Sequence, residues 1–342
     1  MKKWMKFVLV IAVFSVIFVA GCKDDVTDPD VNEFDILKTY MEDSGIDLAD
    51  ISAGWVKPGS IVADGAAPTE VDSFAVSYDV IDIRSADDFA AGHIKNAVNS
   101  TLGDILTAAQ GTRSPIMVVC YTGQTAARAV TALRLSGYAD AVSLKWGMCG
   151  WNATFDTKWV DNAATATDPG WVTAGDPTAV AEFDYPSLST GFEDGADILA
   201  ARVDAILSLG WTQGNADVLA APENYFINNY WSESSWNTYG HIPGAYRINE
   251  NLGLAGLSGL DPEAETLITY CYTGQTSALI TGWLHILGYE NAKSLVYGAN
   301  AIVAGGTIPA KSWHGDGSAS QLNYGYFMTF MGEETYVGPT AP

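Results

Sequence analysis

The sequence predicts a tandem α/β protein: two domains, each a central, mainly parallel sheet flanked by helices. Three observations carry this expectation. The hexapeptide CYTGQT occurs at residues 120–125 and again at 271–276. At the same offset, residues 117–147 and 268–298 agree at 14 of 31 positions, which indicates duplication rather than chance. Around each copy the order is apolar strand, cysteine loop, helix, strand. That is a βαβ unit, and its crossover makes the two strands parallel with a helix laid over the sheet.

The elements follow in order. Ile36, Leu37, Tyr40 and Met41 are spaced for one helix face. Residues 74–83 read as a buried strand, and 85–91 as a short helix ended by Gly92. Residues 116–119 form a β-branched strand running into Cys120, 126–136 a helix with Gly137 as its cap, and 141–144 the next strand. The second copy predicts a helix at 198–209, a strand at 266–270, a helix at 277–287 with Gly288 as cap, and a strand at 293–296. A shared tripeptide, GHI, precedes both cysteines, at 92–94 and 240–242. The domains are therefore expected at 34–162 and 191–342, the second carrying a Gly-, Ser- and aromatic-rich tail. Residues 163–190, rich in Thr, Ala, Gly, Asp and Pro without periodicity, are expected to link them.

The first residues address the protein. Lys2, Lys3 and Lys6 precede an apolar run from Phe7 to Val19, and small residues lead to Cys22. The run is short for about 30 Å of hydrocarbon, so residues 1–21 read as an export signal. The ending resembles the lipobox of bacterial lipoproteins, which implies a lipidated Cys22, a tether over 22–33 and a chain anchored in the cell envelope. Lys23 is not an acidic retention signal, which favours the outer membrane. Without residues 1–21, 14 basic residues face 40 acidic ones, a formal charge of −26. Such a surface argues against nucleic acid, and any anion pocket must be made locally. Apart from Cys22 the thiols are Cys120, Cys149 and Cys271, too few for a disulfide framework and without the CxxC spacing of a zinc site.

A cysteine at the carboxyl end of a strand, followed by glycine and a helix start, sits where backbone N–H groups converge. Those donors favour thiolate. Lowering a thiol from about 8.5 to about 6.5 needs roughly 2.7 kcal/mol, and a helix N-terminus supplies up to about 2 kcal/mol. The loop amides, with Thr122, Thr125, Thr273 and Thr276, are expected to supply the rest, while Gly123 and Gly274 permit the turn.

At these residues the chain resembles tandem proteins of the rhodanese superfamily. The resemblance rests on both CYTGQT loops, GHIKNAVN from Gly92, GHIPGAYRI from Gly240, DIR from Asp82 to Arg84, and SLKWGMCGWN from Ser143. It implies a sulfurtransferase or persulfide carrier, with Cys120 and Cys271 as nucleophiles. Tyr121, Thr122, Gly123, Gln124 and Thr125, and Tyr272, Thr273, Gly274, Gln275 and Thr276, would form the substrate cradles, supported in the first half by Asp82 and Arg84. The implied partners are a small sulfur donor and a thiol or other thiophilic acceptor, with no cofactor and no metal. Many rhodanese loops carry basic residues after the cysteine. This chain does not, leaving thiosulfate, persulfide and polysulfide donors on an equal footing. The second half reads FINNYW where DIR stands in the first, so its support must differ or its activity be lower.

Three competing readings bear on the same residues. A cysteine phosphatase needs an arginine six residues after its nucleophile, and Ala126 and Ser277 stand there. A non-catalytic scaffold that keeps the loop as a relic is the main alternative. Cys149 could resolve an oxidised Cys120, but Asn300 holds the matching place, so a small buried turn residue is the preferred reading. His93 and His241, in the two GHI turns, are read as structural.

Overall fold

Each cysteine loop leaves a buried central strand of a parallel sheet, and the two sheets lie on either side of a shared helical layer. The computed structural model describes residues 32–57, 78–113, 115–249, 252–308 and 312–313. Cys22 with the export signal and nearly all of the tether, the 74–77 start of one predicted strand, and most of the tail lie outside them.

The first half runs α1 (Glu33–Asp43), α2 (Leu48–Ser52), β1 (Val56–Lys57), β2 (Asp79–Asp82), α3 (Ala86–Ala91), β3 (Val98–Asn99), α4 (Ile105–Ala109), β4 (Ile116–Val119), α5 (Gln124–Leu135), β5 (Val142–Leu144), α6 (Gly147–Trp151) and α7 (Thr157–Val160). Its strands are all parallel in the order β1-β5-β4-β2-β3. The second half repeats the plan with α8 (Gly195–Ile206), β6 (Thr212–Gln213), α9 (Asn215–Ala220), β7 (Phe226–Asn229), α10 (Glu233–Tyr239), β8 (Leu267–Tyr270), α11 (Gln275–Ile286) and β9 (Ala292–Leu295). Its order is β6-β9-β8-β7, again parallel, and an Asn228–Tyr246 bridge takes the place of β3. Central strands such as β4, reading IMVV, are buried on both faces, as a helix-covered parallel sheet requires.

Helices α5 and α11 begin two residues earlier than their apolar pattern suggests, because Gly123 and Gly274, at φ +82° and +72°, turn the chain directly into the helix. The two helices pack on each other at Thr131 and Gly282, where a Cβ on the glycine would press on the threonine side chain. Arg128 crosses the seam, donating to the Ile206 carbonyl and to His285 Nδ1 at 2.8 and 2.9 Å. His285 then donates from Nε2 to the Ala292 carbonyl, which defines its neutral tautomer. Burial beside Arg128 lowers its pKa to about 3.

The halves also exchange contacts outside this seam. α1 of the first half lies on α8 of the second, with Tyr40 against Gly195. The Glu33 carboxylate accepts from Thr190 and Gly191, and Asp47 accepts from the Leu254 amide at 3.0 Å. Residues 163–190, expected as a linker, run along the second half as a strap. Ala164, Asp168, Val172, Thr178 and Phe183 each donate a backbone N–H to it, and Trp171 is buried in its core. Of its few apolar side chains, which follow no period, Trp171 and Leu188 are buried and anchor the strap, while Val180 and Tyr185 stay exposed.

Candidate functional site

In the first half Cys120 ends β4, and the turn through Gly123 aims backbone donors at its sulfur. Gly123 and Ala126 donate to Sγ at 3.1 and 3.4 Å, and the amides of Thr122 and Thr125 also face it. This is the predicted convergence of N–H groups. The expected depression of the thiol pKa is not found. Cys120 is only 5 % exposed, and burial outweighs the four donors and pushes the thiol up. Removal from water penalises the charged form more than neutral amide dipoles repay.

Asp82 and Arg84 form a buried ion pair, with Nη2 to Oδ2 at 2.7 Å and side chains 1 % and 0 % exposed. The carboxylate also accepts the Arg84 Nε and backbone N–H at 3.0 Å, and Arg84 Nη2 donates to the Gly92 carbonyl at 2.7 Å. The pair thus ties β2 to the turn that carries GHI. The Arg84 guanidinium lies over the Tyr121 ring at 5.5 Å, and Lys158 on α7 approaches the same ring at 5.6 Å. Tyr121 in turn hydrogen bonds to Asp88. Two cations therefore flank the first residue of the loop, although the loop itself carries none. Lys158 and its neighbour Trp159, whose Nε1 donates to the Thr122 carbonyl at 3.3 Å, were not singled out from the sequence. They sit on a four-residue helix with no periodicity to mark it.

In the second half Cys271 is 3 % exposed and accepts from the Ser277 amide at 3.4 Å. Its sulfur also lies 3.6 Å from Ser277 Oγ, which bonds Ser294 Oγ at 2.7 Å. No hydroxyl stands there in the first half, where the residue is Ala126. The strand register puts Asn229 where Asp82 stands and Trp231 where Arg84 stands. Asn229 Nδ2 donates to the Tyr270 hydroxyl at 2.6 Å, and Trp231 stacks on Tyr272 with centroids 4.5 Å apart. A neutral hydrogen bond and a ring stack replace the ion pair and the cation over an aromatic ring.

Both loops are closed from below by the segment after the next strand. Trp146 and Tyr297 adopt φ +65° and +60°, a conformation costing a residue with a side chain about 1–2 kcal/mol. They are followed by Gly147 and Gly298, where any Cβ would collide with the Cys120 or Cys271 carbonyl. Met148 and Cys149 donate to the Cys120 and Tyr121 carbonyls at 2.9 and 3.0 Å, and Ala299 and Asn300 to those of Cys271 and Tyr272, both at 3.0 Å.

Two of the expected cradle residues, Gln124 and Gln275, have their side chains committed elsewhere: each reaches into the other half, because the loops abut at the seam. Thr125 and Thr276 are partly exposed, and Thr122 and Thr273 hold the glutamine of their own loop. Cys149 is buried among Trp146, Trp159 and Trp313, and burial pushes its thiol up to about 12. His93 contacts the Phe89 carbonyl at 2.9 Å and stacks on Phe89, while His241 stacks on Trp236. Among the described residues no group of His, Cys, Asp and Glu is placed to hold a metal ion, and no helix is long and apolar enough to cross a membrane.

Comparison with known proteins places these features. The family described as the rhodanese-like domain matches residues 68–154 and 222–304. The chain is similar to the thiosulfate sulfurtransferase GlpE of Pseudomonas putida (strain GB-1), at 36% identity over 88 residues, which is 25% of this chain and 79% of the relative. It is 35% identical over 82 residues to that of Ectopseudomonas mendocina (strain ymp), covering 23% of this chain and 74% of the relative. Among solved structures, the Pseudomonas aeruginosa thiosulfate sulfurtransferase covers 79% of this chain and 47% of its own, at 12% identity and a TM-score of 0.26. SseA from Escherichia coli, a 3-mercaptopyruvate sulfotransferase, covers 71% and 97% at 17% identity and a TM-score of 0.25.

Proposed function

The chain belongs to the rhodanese-like family, with the domain present twice, and from that premise we propose that it transfers sulfane sulfur through persulfides on Cys120 and Cys271. The observation that carries this reading is the Cys120 sulfur at the focus of four backbone amides. The cations Arg84 and Lys158 stand beside the adjoining Tyr121.

In the first step the Cys120 thiol, which burial keeps largely protonated, gives up its proton to solvent and attacks the outer sulfur of the donor as thiolate. With thiosulfate the S–S bond breaks, sulfite leaves with the electron pair, and the cysteine becomes a persulfide anion. With a polysulfide the leaving group is the shortened polysulfide. In the second step an acceptor thiolate attacks the terminal sulfur, forms its own persulfide, and returns Cys120 as thiolate. No net oxidant or reductant is consumed. The four amides serve the persulfide anion, whose outer sulfur extends the charge toward them. Lys158 offsets locally the repulsion between an anionic donor and a chain of net charge −23, while the charge of Arg84 is already paired with Asp82.

The relatives named for thiosulfate support that donor, and the absence of basic residues within CYTGQT keeps persulfide and polysulfide donors equal to it. For the second half a scaffold reading is favoured by one observation: the ion pair behind the loop is replaced by Asn229 and Trp231. Loading assays on Cys120→Ser and Cys271→Ser decide between the readings half by half. A second half that never gains sulfur is a scaffold.

The basic start, apolar run and Cys22 support export and attachment to the cell envelope through a lipidated Cys22, with the outer membrane as destination. Intact mass of membrane-extracted protein tests this, and an unmodified Met1 terminus contradicts it.

A further inference from the structure

Gln124 and Gln275 open α5 and α11, one residue beyond the turn glycine of each cysteine loop. Gln275 Oε1 accepts the backbone N–H of Trp146, in the first half, at 2.9 Å. Gln124 Oε1 accepts that of Tyr297, in the second, at 2.8 Å. The amide nitrogens stay at home, donating to Thr122 and Thr273 hydroxyls at 3.0 and 3.1 Å. Both glutamines are buried, and each lies against the turn glycine of the opposite loop, where a Cβ would collide with it.

The two amides they hold open the turns that brace the cysteines. Trp146 and Tyr297 are two of the three side-chain-bearing residues with positive φ among the described residues. The next residues, Gly147 and Gly298, pack on the backbone of the cysteines, and Met148 and Ala299 donate to the Cys120 and Cys271 carbonyls. The path from Gln275 to Cys120 is unbroken: side-chain oxygen, Trp146 amide, Gly147, Met148 amide, Cys120 carbonyl. The mirror path joins Gln124 to Cys271. A left-handed turn held by a buried acceptor keeps its conformation, and without that acceptor the amide loses this hydrogen bond and the turn relaxes.

We propose that Gln124 and Gln275 are positioning residues that act in trans, each setting the sulfur-accepting loop of the other half, so that the two sites form a reciprocal pair. This deepens the sulfur-transfer reading and rests on it.

The test uses the full chain with Gln275→Leu and, separately, Gln124→Leu. Inorganic polysulfide is the donor, and the loading rate is read on each cysteine peptide by mass spectrometry. Amide hydrogen exchange is followed at Trp146 and Tyr297. Gln275→Leu is expected to slow Cys120 about tenfold, the size of one lost hydrogen bond in a rate, with a smaller effect on Cys271, and to speed exchange at Trp146 but not at Tyr297. Gln124→Leu gives the mirror pattern. Gln275→Glu, which keeps an acceptor at the same reach, retains protection of the Trp146 amide. Should a leucine variant fail to fold, methionine at the same position removes the acceptor with a more pliant chain. Each variant slowing the cysteine of its own loop more, or both cysteines equally, overturns the proposal. If neither cysteine of the unaltered chain loads, the sulfur-transfer reading fails, and the exchange pattern still decides whether the glutamines act in trans.

Discussion

Replacing Asp82 by alanine strips a buried cation of its counter-charge, and the cost follows from the geometry. Arg84 is enclosed, its guanidinium donates three hydrogen bonds to the carboxylate, and its backbone N–H donates a fourth. Breaking a buried pair from one side costs about 3–5 kcal/mol, because the remaining charge stays desolvated. For a folded unit of this size that corresponds to a melting-temperature loss of roughly 5–10 °C. The Gly92 carbonyl loses a fixed partner as well, since Arg84 Nη2 no longer holds its place. Urea unfolding of Asp82→Ala measures the loss. The double variant Asp82→Leu/Arg84→Leu is expected to recover more than half of it, as no unpaired charge remains. A loss below about 1 kcal/mol, the range of exposed pairs, would refute the claim that this pair is buried and holds the first half together.

Individual residues carry further expectations. Because burial pushes the Cys120 thiol up, its alkylation rate in the single-thiol variant Cys22→Ser/Cys149→Ser/Cys271→Ser should keep rising beyond the ordinary thiol range near about 8.5; a plateau reached by neutrality would contradict this. His285 has its folded pKa lowered from 6.5 to about 3, so its stabilisation is full above 6.5 and is lost as pH falls toward 3. The difference in stability between the natural chain and His285→Gln should therefore shrink on acidification through that window, and a difference independent of pH would be wrong for a buried neutral histidine. Gly147→Ala places a Cβ on the Cys120 and Tyr121 backbone at φ +61°, so soluble yield or melting temperature should drop sharply, whereas Gly137→Ala, at φ +94° with open space around it, should cost far less.

Much of this architecture is legible in the chain because duplication exposes it. The βαβ order around each cysteine, Ser85 and Gly92 bounding α3, and the positive-φ glycines Gly137 and Gly288 after α5 and α11 all obey local rules of capping and periodicity. The donors around Cys120 are legible on the same grounds. What local rules do not contain is burial: the number of amides facing a thiol can be read from a turn, while the dielectric around it depends on everything packed over the turn. Trp231 could be seen to differ from Arg84, yet its stacking on Tyr272 depends on the tertiary fold. The packing of 163–190 along the second half is not legible because its anchors, Trp171 among them, obey neither helical nor strand spacing. The exchange of Gln124 and Gln275 between halves is a property of the seam, and no spacing within one copy encodes it.

The most direct measurement is mass spectrometry of the Cys120 and Cys271 peptides after incubation with thiosulfate, a small-molecule persulfide and inorganic polysulfide. One added sulfur atom on each peptide, discharged by a thiol acceptor and abolished by Cys→Ser at that position, is the predicted result. Neither peptide gaining sulfur from any of the three donors, in protein shown to be folded, would contradict the account.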